Sequence, residues 1–423
     1  MALLAGGLLV LALLPTPGRA QTTVQVTTLA DSGPGSLRAV LAAAPSGATV
    51  LFAPGLSGTI PLTSPLVIDR SLTVQGPGAA IIALSGQDST RVLDAGNGGA
   101  ACGITVGVSG LTVRNGAAPD KAAGIWTCIT LTLDAVTLRD NVVRAPLGAL
   151  GTATSLPMGG PPALGGGVFN EVAGALTVRN STFSGNQALG GAGGSGLDAH
   201  GCGGCGGAGG GGGLGGAIYT AGALGVSDST FADNAASGGA GGSGGPAAGG
   251  GAGGVGSAIF VDRDCGQCAT KSFTVTTSTF DHNQAVNGPP GLVLGGTGGP
   301  SGNGANGGPN EGGGGSGLGG VGGFGGSPAG GGGAVDTSPV GNGTRFGGLG
   351  GTGAASAAPG QGGGAVTVSG NGNMTISASA FTNNTAPVNG SGAGILIVGG
   401  VNGAIENSTF VGQSASTGSA IFA

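Results

Sequence analysis

The sequence predicts an all-β fold: a right-handed parallel β-helix, a solenoid with a short N-terminal helical cap and glycine-rich loop insertions. Three observations carry that expectation. An eleven-residue segment recurs six times, a short apolar strand opened by glycines precedes most copies, and glycine runs of variable length separate them. The repeat is decisive, because 106 glycines and 22 prolines in 423 residues would read as disorder in an aperiodic chain. Charged residues make up 7% and aromatic residues 3%, which suits neither a conventional globular core nor a self-repelling disordered chain.

In chain order, residues 1–20 come first, with an apolar run from Leu3 to Leu14, a proline-containing break, and Gly18-Arg19-Ala20 ahead of Gln21. Small residues at those positions suit a signal peptidase, so the segment reads as a secretory signal peptide cut before Gln21. The run is shorter than the roughly 20 residues a bilayer-spanning helix needs. Residues 21–70 form the N-terminal cap, in which "DSGPGSLRAVLAAAPSGATVLFAPGLSGTIPL" holds a helix over 36–44 followed by short apolar strands. A solenoid needs a polar cap where its stacking ends.

Residues 71–423 are the solenoid. The copies are "LTLDAVTLRDN" from Leu131, "LTVRNSTFSGN" from Leu176, "LGVSDSTFADN" from Leu224, "FTVTTSTFDHN" from Phe273, "MTISASAFTNN" from Met374 and "GAIENSTFVGQ" from Gly403. The first and third positions are apolar and share one strand face, since side chains alternate with period two. The eighth reads Leu138, Phe183, Phe231, Phe280, Phe381, Phe410, and the eleventh Asn141, Asn186, Asn234, Asn283, Asn384, Gln413. With the glycine-opened strand upstream ("GGGVFN", "GGAIYT", "GSAIFV", "GGAVTV", "GAGILI"), each coil has three short strands. Stacked about 4.8 Å apart, such coils place the phenylalanines in a core ladder and the asparagines in a corner ladder. The copies start 45, 48, 49, 101 and 29 residues apart, a fixed coil with insertions at about 187–214, 237–255, 288–333 and 341–363. These insertions are either flexible or stacked as extended polyglycine-like helices. The final "GSAIFA" reads as a glycine-opened strand without a cap after it.

The GGAI-like signal at 215–218 and the FxxN signal at 183–186, 231–234, 280–283 and 381–384 resemble the repeats of polymorphic outer membrane proteins. The stretch "VTTLADSGPGSLRAVL" resembles the CSLREA cap module of bacterial secreted β-helix proteins, with Gly35 and Ala39 in place of its Cys and Glu. The resemblance implies a bacterial surface or secreted β-helix, in a group associated with adhesion and without a characteristic catalytic motif. The autotransporter barrel that ends many of those proteins has no counterpart here.

Candidate chemistry is sparse. Twelve Lys and Arg and a net charge of -5 lack the basic footprint that nucleic acid or anionic lipid requires. β-Helical lyases and glycoside hydrolases need clustered carboxylates, and the tenth column is the one candidate: Asp140, Gly185, Asp233, His282, Asn383. Its carboxylates are not adjacent, so a solvated corner is expected. Asp262 and Asp264 flank Arg263 in "VDRDCGQC", read as a surface turn, and "GGSGLDAH" from Gly193 to His200 is a single partial calcium nonapeptide where several stacked copies are needed.

Six cysteines suit an oxidising compartment. Cys102 and Cys128 are about one coil apart and form a candidate disulfide between neighbouring coils; aligning "LTVRN" at Leu111 with "VTLRD" at Val136 leaves them one residue out of register, and the alternative is that this offset puts them on opposite faces. Cys202/Cys205 and Cys265/Cys268 form two CxxC pairs read as loop-pinning disulfides, with zinc or redox roles as alternatives. The overall expectation is a secreted or cell-surface, non-enzymatic protein of adhesion or envelope structure. It has no cofactor, no nucleic acid partner and no transmembrane segment in the mature chain; its partner is a host or envelope surface ligand or a polysaccharide. The alternatives are a carbohydrate-active β-helix enzyme and a fragment of a larger surface or autotransporter-type protein.

Overall fold

The computed structural model describes residues 22–150, 159–195, 208–243, 252–263, 271–289, 363–370, 372–387, 390–398, 400–416 and 418–423, with two short strands at Phe324–Gly325 and Gly351–Thr352. The expected signal peptide, Cys202, Cys205, Cys265, Cys268, His200, Asp264 and most of the insertions at 288–333 and 341–363 lie outside these residues.

The chain is a parallel β-helix. Among the described residues, face one stacks ten strands from Thr23–Val26 to Val401–Glu406, face two nine from Gly58–Pro61 to Thr409–Val411, and face three nine from Leu66–Ile68 to Ile421–Phe422. Each strand pairs in parallel with its counterpart one coil away: Leu131 with Leu176, Leu176 with Leu224, Leu224 with Phe273, Phe273 with Met374. Face one buries the first and third repeat positions and face two buries the eighth.

The corners explain the polar columns. The fifth and tenth positions hold left-handed backbone, with φ of 49° at Asn180 and Asp228, 56° at Asp140 and Asp233, and 52° at His282 and Asn383. Asn, Asp and Gly tolerate that conformation best because their short or absent side chains avoid the carbonyl clash. A third left-handed corner opens face three at the first glycine of the GGAI-like signal. At Gly215 (φ 66°) a Cβ would be driven into the carbonyl oxygen of Ile218.

The coil carries more strands than the three legible in sequence. Past the Asn corner, Gln187–Leu189, Ala235–Ser237 and Gln284–Val286 belong to a five-stranded sheet, and Gly213–Leu214 and Gly254–Val255 to a three-stranded one. The insertions expected at 187–214 and 237–255 therefore begin and end in ladder strands. Their described glycine segments are extended and laterally hydrogen-bonded: Gly288 N–H donates to Ala252 O (2.7 Å), Ala252 to Gly239 (3.0 Å), Gly239 to Gly211 (2.8 Å), Gly211 to Gly191 (2.8 Å) and Gly191 to Pro161 (2.9 Å). Outgoing and returning segments alternate in that row. Bonds also link outgoing segments of successive coils, from Gly190 to Ser237 O (2.8 Å) and from Gly193 to Ala240 O (2.8 Å). Of the two states expected for the insertions, these segments adopt the stacked polyglycine-like one, whose backbone groups bond to neighbours and not within the segment.

At the amino end, Leu37–Ala43 is helical, N-capped by Ser36, whose hydroxyl accepts from Ala39 N–H (3.2 Å); Leu37 and Leu41 cover the first coil. Arg38 bridges Asp31 to the Ser64 and Pro65 carbonyls. Within residues 21–70, Thr23–Val26 and Ala48–Phe52 are the first two strands of face one, and Gly58–Pro61 and Leu66–Ile68 open faces two and three.

Cys102 and Cys128 are disulfide-bonded with Cα atoms 5.0 Å apart. The one-residue offset does not separate them, because Cys102 lies in a loop and Cys128 just past strand Ile125–Thr127, where strand alternation does not apply. The bond holds the loop at Gly96–Gly99 over Trp126. Trp126 opens an outer row on face three that continues through Phe169, Tyr219 and Phe260.

Candidate functional site

Most of the recurring polar side chains are consumed by the scaffold. Asn141, Asn186, Asn234, Asn283 and Asn384 are fully buried. Asn234 Nδ2 donates to Asn283 Oδ1 (2.9 Å) and to Phe183 O (3.0 Å), while its Oδ1 accepts from the Nδ2 (3.0 Å) and backbone N–H (3.1 Å) of Asn186. Each asparagine thus satisfies the coils on both sides, a role that needs two donors and an acceptor on one short side chain. The ladder crosses the longest insertion without a gap: Asn283 bonds Asn384 at 2.9 Å across 101 residues of sequence, and the Phe280 and Phe381 rings stack at 4.7 Å. Phe183, Phe231, Phe381 and Phe410 extend that stack at 4.8–4.9 Å. A serine row at 181, 229, 278 and 379 forms a second ladder. Each hydroxyl donates to the carbonyl two residues earlier and accepts from the preceding coil's N–H. Its signal was present in sequence as a serine in the sixth column of five consecutive copies, the last of them Ser408, whose hydroxyl accepts from Ser379 N–H (3.4 Å).

The tenth-column candidates do not converge. Asp140 pairs with its neighbour Arg139 (2.6 Å), and Asp233 lies two coils away beyond Gly185, a separation of roughly 10 Å at strand spacing. His282 Nδ1 lies 2.9 Å from Asp281 Oδ2, and the Thr382 hydroxyl donates to Asp281 Oδ1 (2.5 Å). Hydrogen bonding from Thr382, opposed by burial and reinforced by His282 and Asn383, holds the Asp281 carboxyl below its ordinary value. A general acid working near neutrality needs the opposite shift.

Asp262 and Arg263 are not a surface turn. Both are buried: strand Ile259–Asp262 is buried along its whole length, and Asp262 accepts from the Tyr219 hydroxyl (2.7 Å) of the neighbouring strand Ile218–Thr220. Burial pushes the Arg263 guanidinium down to about 10, with Asp262 opposing. Among the described residues, no three His, Cys, Asp or Glu side chains come together as a metal site, and no helix is long and apolar enough to cross a membrane.

The outer surface of face two is the accessible, chemically varied part of the solenoid. Its seventh-column row reads Thr112, Thr137, Thr182, Thr230 and Thr279 in register, beside a ninth-column row of Arg114, Arg139, Ser184, Ala232 and Asp281. Cations sit at the amino end and the Asp281 cluster toward the other. Aligning "LTVRN" at Leu111 with "VTLRD" at Val136 superposes the two arginines, so this pair was legible in sequence. Fold and surface together define a parallel β-helix with a polar, threonine-lined lateral face. No protein-family model matches the chain, and no curated protein matches it.

Proposed function

We propose that this is a secreted or cell-surface, non-enzymatic β-helix protein whose lateral surface serves in adhesion or envelope structure. The observation that carries the reading is the fate of the repeated polar residues. Asparagine and serine columns close backbone hydrogen bonds between coils, and the tenth column supplies left-handed corners, so these three recurring columns have a structural cause. The likeness of the GGAI and FxxN signals to polymorphic outer membrane proteins, and the secretory character of residues 1–20, support a bacterial surface location. Ligands of the host or envelope surface, or a polysaccharide, are the partners this surface suits.

A carbohydrate-active enzyme is the second reading, favoured by the Asp281–His282–Thr382 cluster. One experiment separates them. The purified mature chain is incubated with pectic and other acidic polysaccharides, with and without calcium, and with envelope material. The expected result is binding without release of unsaturated or reducing ends. Release that disappears in a folded Asp233→Ala/His282→Ala variant would establish the enzyme instead.

A further inference from the structure

Face two bears a groove of about 490 Å³ at its amino end. Thr59, Ala83, Thr112 and Thr137, in register on successive face-two strands, form its floor with Arg114 and Arg139, and the Ala79–Ala80–Ile81 loop forms its wall. The wall is fixed, since the Thr112 hydroxyl donates to Ala79 O (2.7 Å). We propose that this groove binds a carboxylated polysaccharide, a polyuronate chain lying along the solenoid axis. The proposal rests on the surface-binding reading above and names the ligand class.

Charge is the first argument. Arg114 and Arg139 occupy the same position on successive strands, about 4.8 Å apart. Arg139 holds the carboxylate of its neighbour Asp140 at 2.6 Å. Among the described residues Arg114 bonds only the neutral Thr59 hydroxyl, from Nη2 at 2.9 Å, and its buried Nε has no acceptor. A net -5 chain with twelve basic residues has here a half-buried guanidinium with no acidic partner. Its planar fork matches a carboxylate, which accepts two parallel N–H bonds.

The surroundings select a sugar among anions. Threonine hydroxyls form a row beside the guanidinium row, so a polyuronate along the axis meets hydroxyl partners on one side and guanidinium partners for its carboxylates on the other. Ile81, 41% exposed beside Ala79 and Ala80, offers an apolar surface to the C–H face of a sugar ring. The threonine row runs on through Thr182, Thr230 and Thr279, so a polymer leaving the groove stays on hydroxyls. Nucleic acid fits poorly: no aromatic side chain lines the groove for base stacking, and the acidic chain would not steer a polyphosphate.

The test is affinity electrophoresis and calorimetry of the full chain with polygalacturonate, the same polymer with its carboxyls reduced, and dextran. Wild type is expected to bind polygalacturonate alone, more weakly as salt rises. Arg114→Gln/Arg139→Gln is expected to lose at least tenfold in affinity at unchanged circular dichroism, whereas Arg179→Gln on face one leaves binding intact. Should the double variant unfold, Ala80→Glu on the exposed wall places a repelling carboxylate in the groove without touching a ladder, and the same loss is expected. Polygalacturonate binding that survives folded variants, or equal binding to the reduced polymer, overturns the site while leaving surface binding in place. Failure of wild type to bind polygalacturonate overturns it also, and failure to bind envelope material as well removes the broader reading.

Discussion

Phe231 and Asn234 stand three residues apart and hold the same two coil junctions by different physics. Phe231 stacks between Phe183 and Phe280 at 4.8 and 4.9 Å, so Phe231→Ala removes a buried ring and leaves a cavity costing about 3–5 kcal/mol. Asn234→Ala strands the Asn186 donors and the Phe183 carbonyl in a dry corner, at about 1–3 kcal/mol for each buried group. Chemical denaturation is expected to show both variants severely destabilised despite the polarity of the second. Asp281 gives a pH signature. Its carboxyl titrates lower in the fold than its ordinary 3.8, so the stabilisation is present above about pH 4 and is lost as pH falls through the folded value. Asp281→Asn is expected to lower the melting temperature at pH 7, with the difference narrowing as pH falls below about 4; a gap independent of pH would contradict the assignment.

Glycine has two separate uses among the elements. At corners such as Gly215 it permits positive φ, whereas in the insertions it permits contact. A Cβ on Gly239 would enter the carbonyl oxygen of Gly191, while one on Gly103 meets nothing within 4 Å. Gly239→Ala is therefore expected to destabilise by roughly 1–3 kcal/mol, as overpacking does. Gly103→Ala should stay within about 0.5 kcal/mol. Thermal melts of the pair separate a packed glycine lattice from a slack loop, for which the two substitutions would be equivalent. The sequence shows glycine at both kinds of position and cannot distinguish them, because a single residue type answers to a dihedral in one place and to a neighbouring chain in the other.

For the whole molecule, stability is a sum of coils and junctions. Leu224 and Phe273 are register partners, so deleting 224–272 brings Phe280 under Phe183 and Asn283 under Asn186 with the ladders unbroken. The shortened chain is expected to unfold cooperatively, with a denaturant slope reduced in proportion to the surface removed. A deletion of half that length, which moves polar residues onto the phenylalanine position, is expected to prevent folding. Retained folding of the second variant would show that register is not what holds the solenoid.

The sequence by itself determined the coil. Periodic apolar positions, the Phe and Asn columns and the face-one register follow from strand alternation and from the requirement that like residues stack, and both are local rules repeated along the chain. Only tertiary structure decided what lies between coils at unequal spacing. Examples are the pairing of the glycine segments of separate insertions, the disulfide that escapes the register rule in a loop, the burial of Asp262 and Arg263, and the meeting of Arg114 with Thr59 across 55 residues. Their common cause is that insertion length varies while coil height does not. Neighbours in space are therefore set by the stack, at separations that no periodicity in the sequence encodes.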